Sequence, residues 1–244
     1  MTDKILFTTT IVSLLLAVII VFFIVSVIRY NRQYIRLQQE RIRAEILMQE
    51  QERKRIANDL HDSLGPLLST VKIYMNSIGV EREEDQQLMN KASGYVDETI
   101  RGLREISYNL LPNSLDRNGL VKAVKEYIYR ITAKHPLKIN FAAAENLNIP
   151  KDIEIHLFRI VQEIIQNTIK HAQAQTLHLY IGREPELIIV SEDDGLGFDL
   201  EEIRNTSGGL GLKSMESRCE LVNASFQIIT EKGKSCKIII KIPV

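Results

Sequence analysis

The chain begins with one long apolar run. Ile5 to Ile28 contains no charged residue, and its polar side chains are only threonines and serines. A helix of that length crosses the ~30 Å hydrocarbon core of a bilayer. A cleaved signal peptide is the alternative, although the run is long and no cleavage site of small residues is evident. We therefore expect a single transmembrane anchor at residues 1–30.

Positive charge follows the anchor. Five arginines crowd its C-terminal side, whereas Lys4 and the amino terminus precede it. The positive-inside rule then predicts that the rest of the chain lies in the cytoplasm. Residues 31–51 are rich in Gln, Glu and Arg and contain neither Gly nor Pro. This composition predicts a helical linker and, with imperfect heptads, a short coiled coil.

Two amphipathic helices are predicted next. The first runs from about Glu52 to Ser77 and breaks near Gly79; the second runs from about Glu84 to Leu110, where Pro112 ends it. Their apolar positions step by four and three: Leu60, Leu64, Leu67, Val71, Tyr74 and Ile78, then Leu88, Ala92, Tyr95, Thr99, Leu103, Ile106 and Leu110. An isolated hairpin cannot bury both stripes. We expect a homodimeric four-helix bundle from residues 52–112, and packing against the following domain in a monomer is the alternative.

The pattern changes to mixed α/β in residues 113–244. Helices are predicted at Gly119 to Thr132, Asp152 to Ala172 and Leu210 to Val222. Strands are predicted at Lys138 to Ala142, Thr176 to Gly182, Leu187 to Asp193, Ala224 to Thr230 and Cys236 to Ile242. The region is long enough for its own core, so we expect an α/β sandwich.

Composition excludes some functions. Charged residues make up 25% of the 244 residues and cancel formally to zero, so no direct nucleic-acid partner is expected. Cys219 and Cys236 form no close-spaced pair and no cluster with His, which argues against a disulfide framework or a zinc site. Isolated cysteines of this kind are commonly small core residues, compatible with a reducing cytosol.

His61 and Asp62 lie just beside the apolar stripe of the first bundle helix. A neutral imidazole is a usable nucleophile, and a neighbouring carboxylate can orient it and take its proton. Positions i and i+1 of a helix do not face each other, so Asp62 reaches His61 only through particular rotamers. The alternative is a solvated surface pair.

A polar face follows on the helix Asp152 to Ala172. Glu163, Asn167 and His171 are spaced i, i+4 and i+8, with Lys170 beside them. The amide oxygen of Asn167 suits Mg²⁺ that carries a triphosphate, and Lys170 and His171 suit phosphate oxygens. An ordinary solvated helix face is the alternative.

Two glycine-bearing segments complete the pattern. Asp193 ends an apolar strand, where its carboxylate can accept a hydrogen bond from the exocyclic amine of adenine, and Gly195 and Gly197 allow close backbone approach. A plain Asp-Gly turn is the alternative. The run Gly208 to Leu212 then opens a helix, where free backbone N–H groups can hold phosphates. It is neither a Walker A loop nor a dinucleotide fingerprint.

In this order, the four patterns resemble a sensor histidine kinase over about residues 52–244. The subfamily resembled most is that of nitrate-sensor and membrane-thermosensor kinases, whose phosphoacceptor motif carries His-Asp. Glu52 to Lys72 resembles the phosphoacceptor box. Arg159 to Ala172 resembles the N box of the Bergerat (GHKL) ATP-binding fold, Asp193 to Gly197 the G1 box, and Gly209 to Leu212, with Met215 and Arg218, the G2 box.

The resemblance implies a role for each matching residue. His61 is the phosphorylated residue and Asp62 the base that activates it. Asn167 holds Mg²⁺ and Glu163 supports a metal-bound water. The nucleotide contacts implied are Lys170, His171, Asp193, Gly195, Gly197, Gly209, Leu210, Gly211 and Leu212, with Gly209 and Gly211 bracketing a short lid from roughly Phe198 to Ser207.

The function implied is that of a histidine kinase of the bacterial cytoplasmic membrane. ATP phosphorylates His61, and the phosphoryl group passes to an aspartate of a response regulator of NarL/LuxR type. A non-catalytic membrane scaffold that keeps the fold is the alternative; the bundle helix argues against a different GHKL ATPase or a serine kinase. The subfamily typically places Gln five residues after the histidine, and here that position is Pro66. Weak phosphatase activity is therefore expected.

Pro66 also carries a prediction about local structure. It has no N–H to donate to the carbonyl of Asp62, and its ring crowds that carbonyl. We expect the helix to kink or loosen one turn after His61. We also expect Gly65, which precedes the proline, to leave the α region.

Overall fold

The structure is a computed structural model that describes residues 2–79, 82–145, 147–183, 185–205 and 210–243. It divides into two compact units, residues 1–45 and 46–244. The first unit is helical throughout its described part and belongs to helix α1 (Thr2–Asp59). Its apolar side chains from Leu14 to Ile28 are largely exposed. By length and composition alone, this helix could cross a membrane.

The second unit contains the predicted helical hairpin. After α1 comes a π-helical turn (Leu60–Leu64), then α2 (Gly65–Ser77) and α3 (Glu83–Leu110). The second bundle helix lies where the sequence predicts it. The first does not begin at Glu52, because α1 continues without a break to Asp59. No Gly or Pro interrupts that stretch, so nothing in the sequence ends the helix earlier.

The loosening predicted at Pro66 is confirmed, and its form is the π-helical turn. The N–H of Gly65 donates to the carbonyl of Leu60, a five-residue step in place of the usual four. Gly65 itself stays in the α region (φ −59°, ψ −57°), so the expectation that proline would displace it is wrong. The wider turn accommodates the proline ring at the start of α2, where a missing N–H costs little.

The mixed α/β part begins with α4 (Asn113–Thr132), which starts earlier than predicted. Within it Gly119 is non-helical, with φ +78°, and the side chain of Glu154 accepts the N–H of Leu120 at 3.3 Å. A positive φ favours glycine, so the predicted start at Gly119 corresponds to this internal break.

A five-stranded sheet follows, in the order β1-β2-β3-β5-β4. The strands are β1 (Lys138–Ala143), β2 (Thr176–Arg183), β3 (Leu187–Asp193), β4 (Ser225–Thr230) and β5 (Cys236–Ile242). The β1–β2 pair is parallel and the other pairs are antiparallel. Burial alternates along β3 and β5, so one face of the sheet is covered.

Helices cover that face. They are α5 (Lys151–Asn167), which continues as a π-helical turn (Thr168–Ala172), and α7 (Leu210–Leu221). A short helix, α6 (Leu200–Asn205), was not predicted. The core joins α4, α5 and α7 to the sheet, with Leu157, Ile160, Ile189 and Ile240 fully buried. The three-part fold class expected from the sequence is confirmed.

Candidate active site

A cavity of about 270 Å³ lies between α5, α7 and the C-terminal end of β3. Its walls are mainly apolar, and a few polar groups enter it. Cavities with this balance are typical binding sites for small molecules. The lining residues are Ile164, Asn167, Thr168, His171, Ala172, Ser191, Asp193, Gly197, Phe198, Ile203, Gly211, Leu212, Met215, Cys236 and Ile238.

The end of α5 supplies the polar side of the cavity. Asn167 and His171 both line it, as the spacing on the predicted helix requires. The predicted α-helix nevertheless becomes a π-helical turn after Asn167 and ends at Gln173, whose φ is +52°. Lys170 is exposed and does not line the cavity. The predicted polar face assumed regular α-helical spacing up to Ala172. The π-helical turn changes the angle between successive side chains, which is one reason Lys170 does not lie beside His171 in the cavity.

Asp193 lines the cavity and is the last residue of β3. Its Oδ1 accepts the N–H of Gly195 at 3.0 Å. Burial raises the pKa of this carboxyl, while hydrogen bonds from the backbone of Gly195 and Cys236 act in the opposite direction. A buried carboxylate that still has accepting capacity can bind a donor group of a ligand.

Asp194, the next residue, has a different environment. Its Oδ1 accepts the N–H groups of Gln175 and Thr176 at 2.8 and 2.9 Å, and the pKa of its exposed carboxyl is lowered, with the bond from Thr176 as the main cause. Asp194 therefore fixes the start of β2, and Asp193 faces the cavity. Side chains alternate in direction at the end of β3, so these two neighbouring carboxylates have different surroundings and different roles.

Three glycines bring backbone close to these groups. A β-carbon on Gly211 would lie 2.1 Å from Oε1 of Glu163, and one on Gly195 would lie 2.4 Å from the carbonyl of Ala172. Gly197 has φ +55°, and a β-carbon there would lie 2.2 Å from the carbonyl of Lys234. No other residue fits these positions without displacing backbone or the polar end of α5.

Some predicted residues lie outside this description. Gly209 is outside the described residues, as are Thr206 and Ser207 of the predicted lid. Leu210 is the first residue of α7, and α6 occupies Leu200–Asn205 within the lid segment.

Sequence reasoning missed the apolar walls. Ser191, Cys236 and Ile238 belong to the covered face of β3 and β5, and the register pairs Asp193 with Cys236. Alternation along each strand could have found Ser191, two residues before Asp193. The pairing of β5 beside β3 could not be read from periodicity. Burial raises the pKa of Cys236 to about 11 and that of Cys219 to about 12, so both remain thiols at neutral pH.

His61 lies in the π-helical turn, and its Nδ1 is 3.0 Å from Oδ1 of Asp62. The contact between neighbouring residues is therefore made, although an ordinary helix disfavours it. With Asp62 ionised, Nδ1 carries the proton and donates, which leaves the lone pair on Nε2. The His61 side chain is 62% exposed, so an incoming group can approach it.

A buried ion cluster, which the sequence patterns did not predict, joins α1 to the sandwich. Glu50 pairs with Arg159 at 3.2 Å and with Arg218 at 2.8 Å, and its side chain is only 10% exposed. Arg159 also donates to the carbonyls of Asn109 and Leu110 at the end of α3. One arginine thus binds α1, α3 and α5 together.

Charge within the cluster is unbalanced. Two guanidinium groups meet one carboxylate, and burial lowers the pKa of both arginines while Glu50 opposes that effect. His156 is buried beside them; burial, then Arg218, lowers its pKa, so the ring stays neutral. Nη1 of Arg218 and Nδ1 of His156 have no hydrogen-bond partner within the described part of the chain.

Two known protein families match this chain, one over the helical hairpin and one over the sandwich. Residues 52–115 match the family described as histidine kinase. Residues 152–244 match the family described as histidine kinase-, DNA gyrase B- and HSP90-like ATPase. The chain belongs to the histidine kinases. Within that family, the matched ATPase region is the part of the chain that holds the 270 Å³ cavity.

Two individual proteins similar to this chain are also named as histidine kinases. The chain is 30% identical over 208 residues to the signal transduction histidine-protein kinase/phosphatase DegS of Brevibacillus brevis, which covers 82% of this chain and 53% of the relative. It is 28% identical over 221 residues to the oxygen sensor histidine kinase NreB of Staphylococcus carnosus (strain TM300), covering 88% and 62%. The chain thus spans between half and two thirds of the length of these relatives.

Among solved structures, the blue-light activated histidine kinase of Erythrobacter litoralis EL346 is similar, with a TM-score of 0.48 and 15% identity. That match covers 84% of this chain and 59% of the solved chain.

Proposed function

We propose that the chain is a membrane-anchored, homodimeric histidine kinase that phosphorylates His61 from ATP and passes the phosphoryl group to an aspartate of a response regulator of NarL/LuxR type. One observation carries the proposal. An exposed imidazole has its Nδ1 held by Asp62, and the same chain holds a cavity with a buried carboxylate and a polar helix end. The first feature is a nucleophile and the second a nucleotide site.

The cavity fits an adenine nucleotide. Asp193 in its lining offers an acceptor for the exocyclic amine, and the apolar side chains of Ile164, Met215 and Ile238 offer flat contact for the ring. Gly197 lets the neighbouring backbone approach the base closely.

The phosphate end is assigned to α5 and α7. Asn167 and Glu163 both lie near Gly211, and a carbonyl and a carboxylate oxygen suit Mg²⁺. Mg²⁺ would neutralise the charge that builds up on the phosphate oxygens. His171 lines the same side, and the first turn of α7 presents backbone N–H groups to an anion. We assign Lys170, Gly195, Gly209, Leu210 and Leu212 to the surroundings of the nucleotide on the strength of the family motifs.

The phosphoryl step follows from the tautomer. Nε2 of His61 attacks the γ-phosphorus, the bond from that phosphorus to the bridging oxygen breaks, and ADP leaves. The ring becomes positively charged as the new P–N bond forms. Asp62 stabilises that charge and accepts the Nδ1 proton. In the second step, an aspartate carboxylate of the regulator attacks the same phosphorus, the P–N bond breaks, and Nδ1 takes its proton back from Asp62, so His61 is released as a neutral imidazole.

Assembly and location rest on exposed apolar surface. The stripe on α2 and α3 is uncovered, which supports a second copy as partner.

The apolar helix at residues 1–30 and the arginines after it support a single-pass anchor in the bacterial cytoplasmic membrane, with lipid around it and the remainder in the cytoplasm. We place a linker at 31–51, the dimerisation domain at 52–112 and the ATP-binding domain at 113–244.

Phosphatase activity is proposed to be weak. Pro66 lies where the subfamily carries Gln, and a proline side chain cannot orient a hydrolytic water.

The test is phosphorylation of the full chain in detergent with Mg²⁺ and γ-labelled ATP. Label should appear that is lost in acid and kept in base, and it should pass to a purified receiver domain. Asn167→Asp should lose turnover, because the phosphates are no longer positioned. Asp194→Asn is the matched control, because that carboxylate lies outside the cavity. Nucleotide binding without any label would favour the scaffold alternative.

A further inference from the structure

A second cleft lies beside His61 and is separate from the nucleotide cavity. Its volume is about 230 Å³. One wall comes from α3 and the other from the start and the last two turns of α4, so the cleft lies where these two helices meet. The residues that define it are His61, Arg104, Tyr108, Ser114, Glu126 and Arg130.

Two neighbouring hydroxyl groups, those of Tyr108 and Ser114, line this cleft and contact each other. The Tyr108 side chain is buried, with the whole residue 7% exposed, and within the described residues neither hydroxyl has a hydrogen-bond partner beyond the other. Burial raises the pKa of Tyr108, so its hydroxyl keeps its proton and remains a donor. Buried polar groups are nearly always paired in native proteins. At most one of the two hydroxyls can donate to the other, so the second O–H is left for an acceptor that enters the cleft.

The charges indicate that this acceptor is an anion. Arg104 has no ion pair within the described residues, and Arg130 stacks on the ring of Tyr108 with 3.8 Å between its guanidinium carbon and the ring centroid. One carboxylate, Glu126, lies opposite and pairs with Nη2 of Arg130 at 2.8 Å. The lining thus carries two positive charges against one negative charge, and Asp62, beside His61, is a further carboxylate that does not line the cleft.

His61 contributes the remaining condition. Its Nδ1 is held by Asp62, so a group attached to the ring is attached at Nε2, and the His61 side chain itself lines the cleft. A phosphoryl group is a tetrahedral anion with three acceptor oxygens, which guanidinium and hydroxyl donors match well. We infer that the cleft binds the phosphoryl group of phosphorylated His61, with Arg104 and Arg130 as its cationic ligands.

This inference rests on the proposed function only in taking His61 as the modified residue. It adds α4 to the phosphohistidine site. Arg130 lies between the two matched family regions, residues 52–115 and 152–244, so neither match assigns it. The phosphoryl oxygens would join α3 to α4 and so hold the ATP-binding domain against the hairpin after phosphorylation.

The experiment uses the full chain in detergent, phosphorylated with potassium phosphoramidate so that ATP turnover is not needed. His61→Gln identifies the ³¹P resonance of His61 among those of the other four histidines of the five in the chain. The titration of that resonance gives the phosphoryl pKa. Two nearby guanidinium groups favour the dianion, so this pKa should lie below that of free phosphohistidine.

The variants give opposite signs. Arg104→Gln and Arg130→Gln should each raise the phosphoryl pKa by roughly 0.5 to 1 unit, because each removes one positive charge. Glu126→Gln should lower it further. Arg101→Gln, an exposed arginine three residues before Arg104 on α3, is the matched control and should leave it unchanged. Arg104 is itself exposed, so its variant should fold even if Arg130→Gln does not.

The results that would contradict the inference differ from the result that would contradict the proposed function. A wild-type pKa equal to that of free phosphohistidine, unmoved by either arginine variant, would overturn the inference. So would uptake of inorganic phosphate by His61→Gln together with an unshifted phosphohistidine in the wild type, which would assign the cleft to a free anion. Absence of labelling from ATP would count against the proposed function alone, since phosphoramidate modifies His61 independently.

Discussion

The helical hairpin and the ATP-binding sandwich have the same kind of amphipathic helix but use it differently. On α5, the apolar face is inside the chain: Leu157, Phe158 and Ile160 are fully buried against α4, α7 and the sheet. On α2, no residue is buried. Leu67 is 58% exposed there, and Tyr95 on α3 is 69% exposed.

The difference shows what an apolar stripe does and does not specify. Periodicity predicts that a helix needs a partner, and it predicts which side faces that partner. It does not say whether the partner lies in the same chain. For α5 a sheet follows within the sandwich and covers the face. For α2 and α3, each uncovered Leu or Tyr leaves about 1.5–3 kcal/mol of burial unrealised, which a second copy would recover.

The largest effect should come from a charge placed in the uncovered stripe. Leu67→Arg would bury an unpaired guanidinium in the dimer, costing several kcal/mol, roughly the stability of a small bundle. The full chain in detergent should change from dimer to monomer by light scattering. Asn76→Arg, an exposed position of α2 off the stripe, is the matched control and should stay dimeric. A dimeric Leu67→Arg chain would show that the stripe faces something else.

The next effect concerns the buried cluster that joins the two regions. Glu50→Gln removes the one carboxylate between Arg159 and Arg218 and should cost about 3–5 kcal/mol, because two buried guanidinium groups lose their counter-ion. A lower melting temperature in calorimetry is the expected result. Glu45→Gln, exposed on the same helix, supplies the comparison. Equal melting temperatures for the two variants would mean that the cluster adds nothing.

Asp193 should give a smaller, pH-dependent effect on nucleotide binding. Asp193→Asn puts an amide donor near the donating amine of adenine and should weaken ATP binding by about 1–3 kcal/mol. Calorimetric titration should detect this loss, and Asp194→Asn should bind normally. In the wild type, affinity should fall as pH decreases through the raised pKa of Asp193, because a protonated carboxyl accepts poorly.

Stability without nucleotide should show the opposite trend. The pKa of Asp193 is higher in the folded than in the unfolded chain, so folding favours the protonated form. The contribution is therefore lost as pH rises from the ordinary Asp range through the raised value. Asp193→Asn should abolish that part of the pH dependence. A wild-type affinity that stays constant down to the ordinary Asp range would contradict the assigned role.

The smallest effect on structure is expected at Pro66. Pro66→Gln restores a backbone N–H and a side-chain amide able to orient water, at the end of the π-helical turn. Regulator dephosphorylation should accelerate while labelling of His61 persists. If the wild type already removes phosphate from its regulator quickly, another group must position the water.

Sequence patterns predicted elements best where burial has a fixed period. The strands Leu187–Asp193 and Cys236–Ile242 lie where alternation predicts them, and so does the hairpin helix ending at Leu110. Asn167, His171, Asp193, Gly197 and Gly211 come together as the motifs indicated. Their spacing within single elements carried this information.

Long-range and backbone features could not be predicted in this way. In the sequence, nothing distinguishes Glu50 from the other charged residues of the polar linker. Its burial depends on Arg159 and Arg218, which lie far along the chain. Gly65 stays helical because the π-helical turn absorbs the proline, a choice that local rules for residues before proline do not contain. Lys170 turns outward for a related reason, at the second such turn.

In the proposed reaction, the exposed His61 of the hairpin receives the phosphoryl group of a nucleotide bound in the cavity of the sandwich. The direct measurement is mass-spectrometric localisation, at neutral pH, of the phosphoryl group after incubation with Mg²⁺ and ATP. The chain has five histidines, and we expect modification at His61 alone, with none in His61→Gln. A phosphoryl group found on another histidine or on a serine, or retained in His61→Gln, would contradict the account.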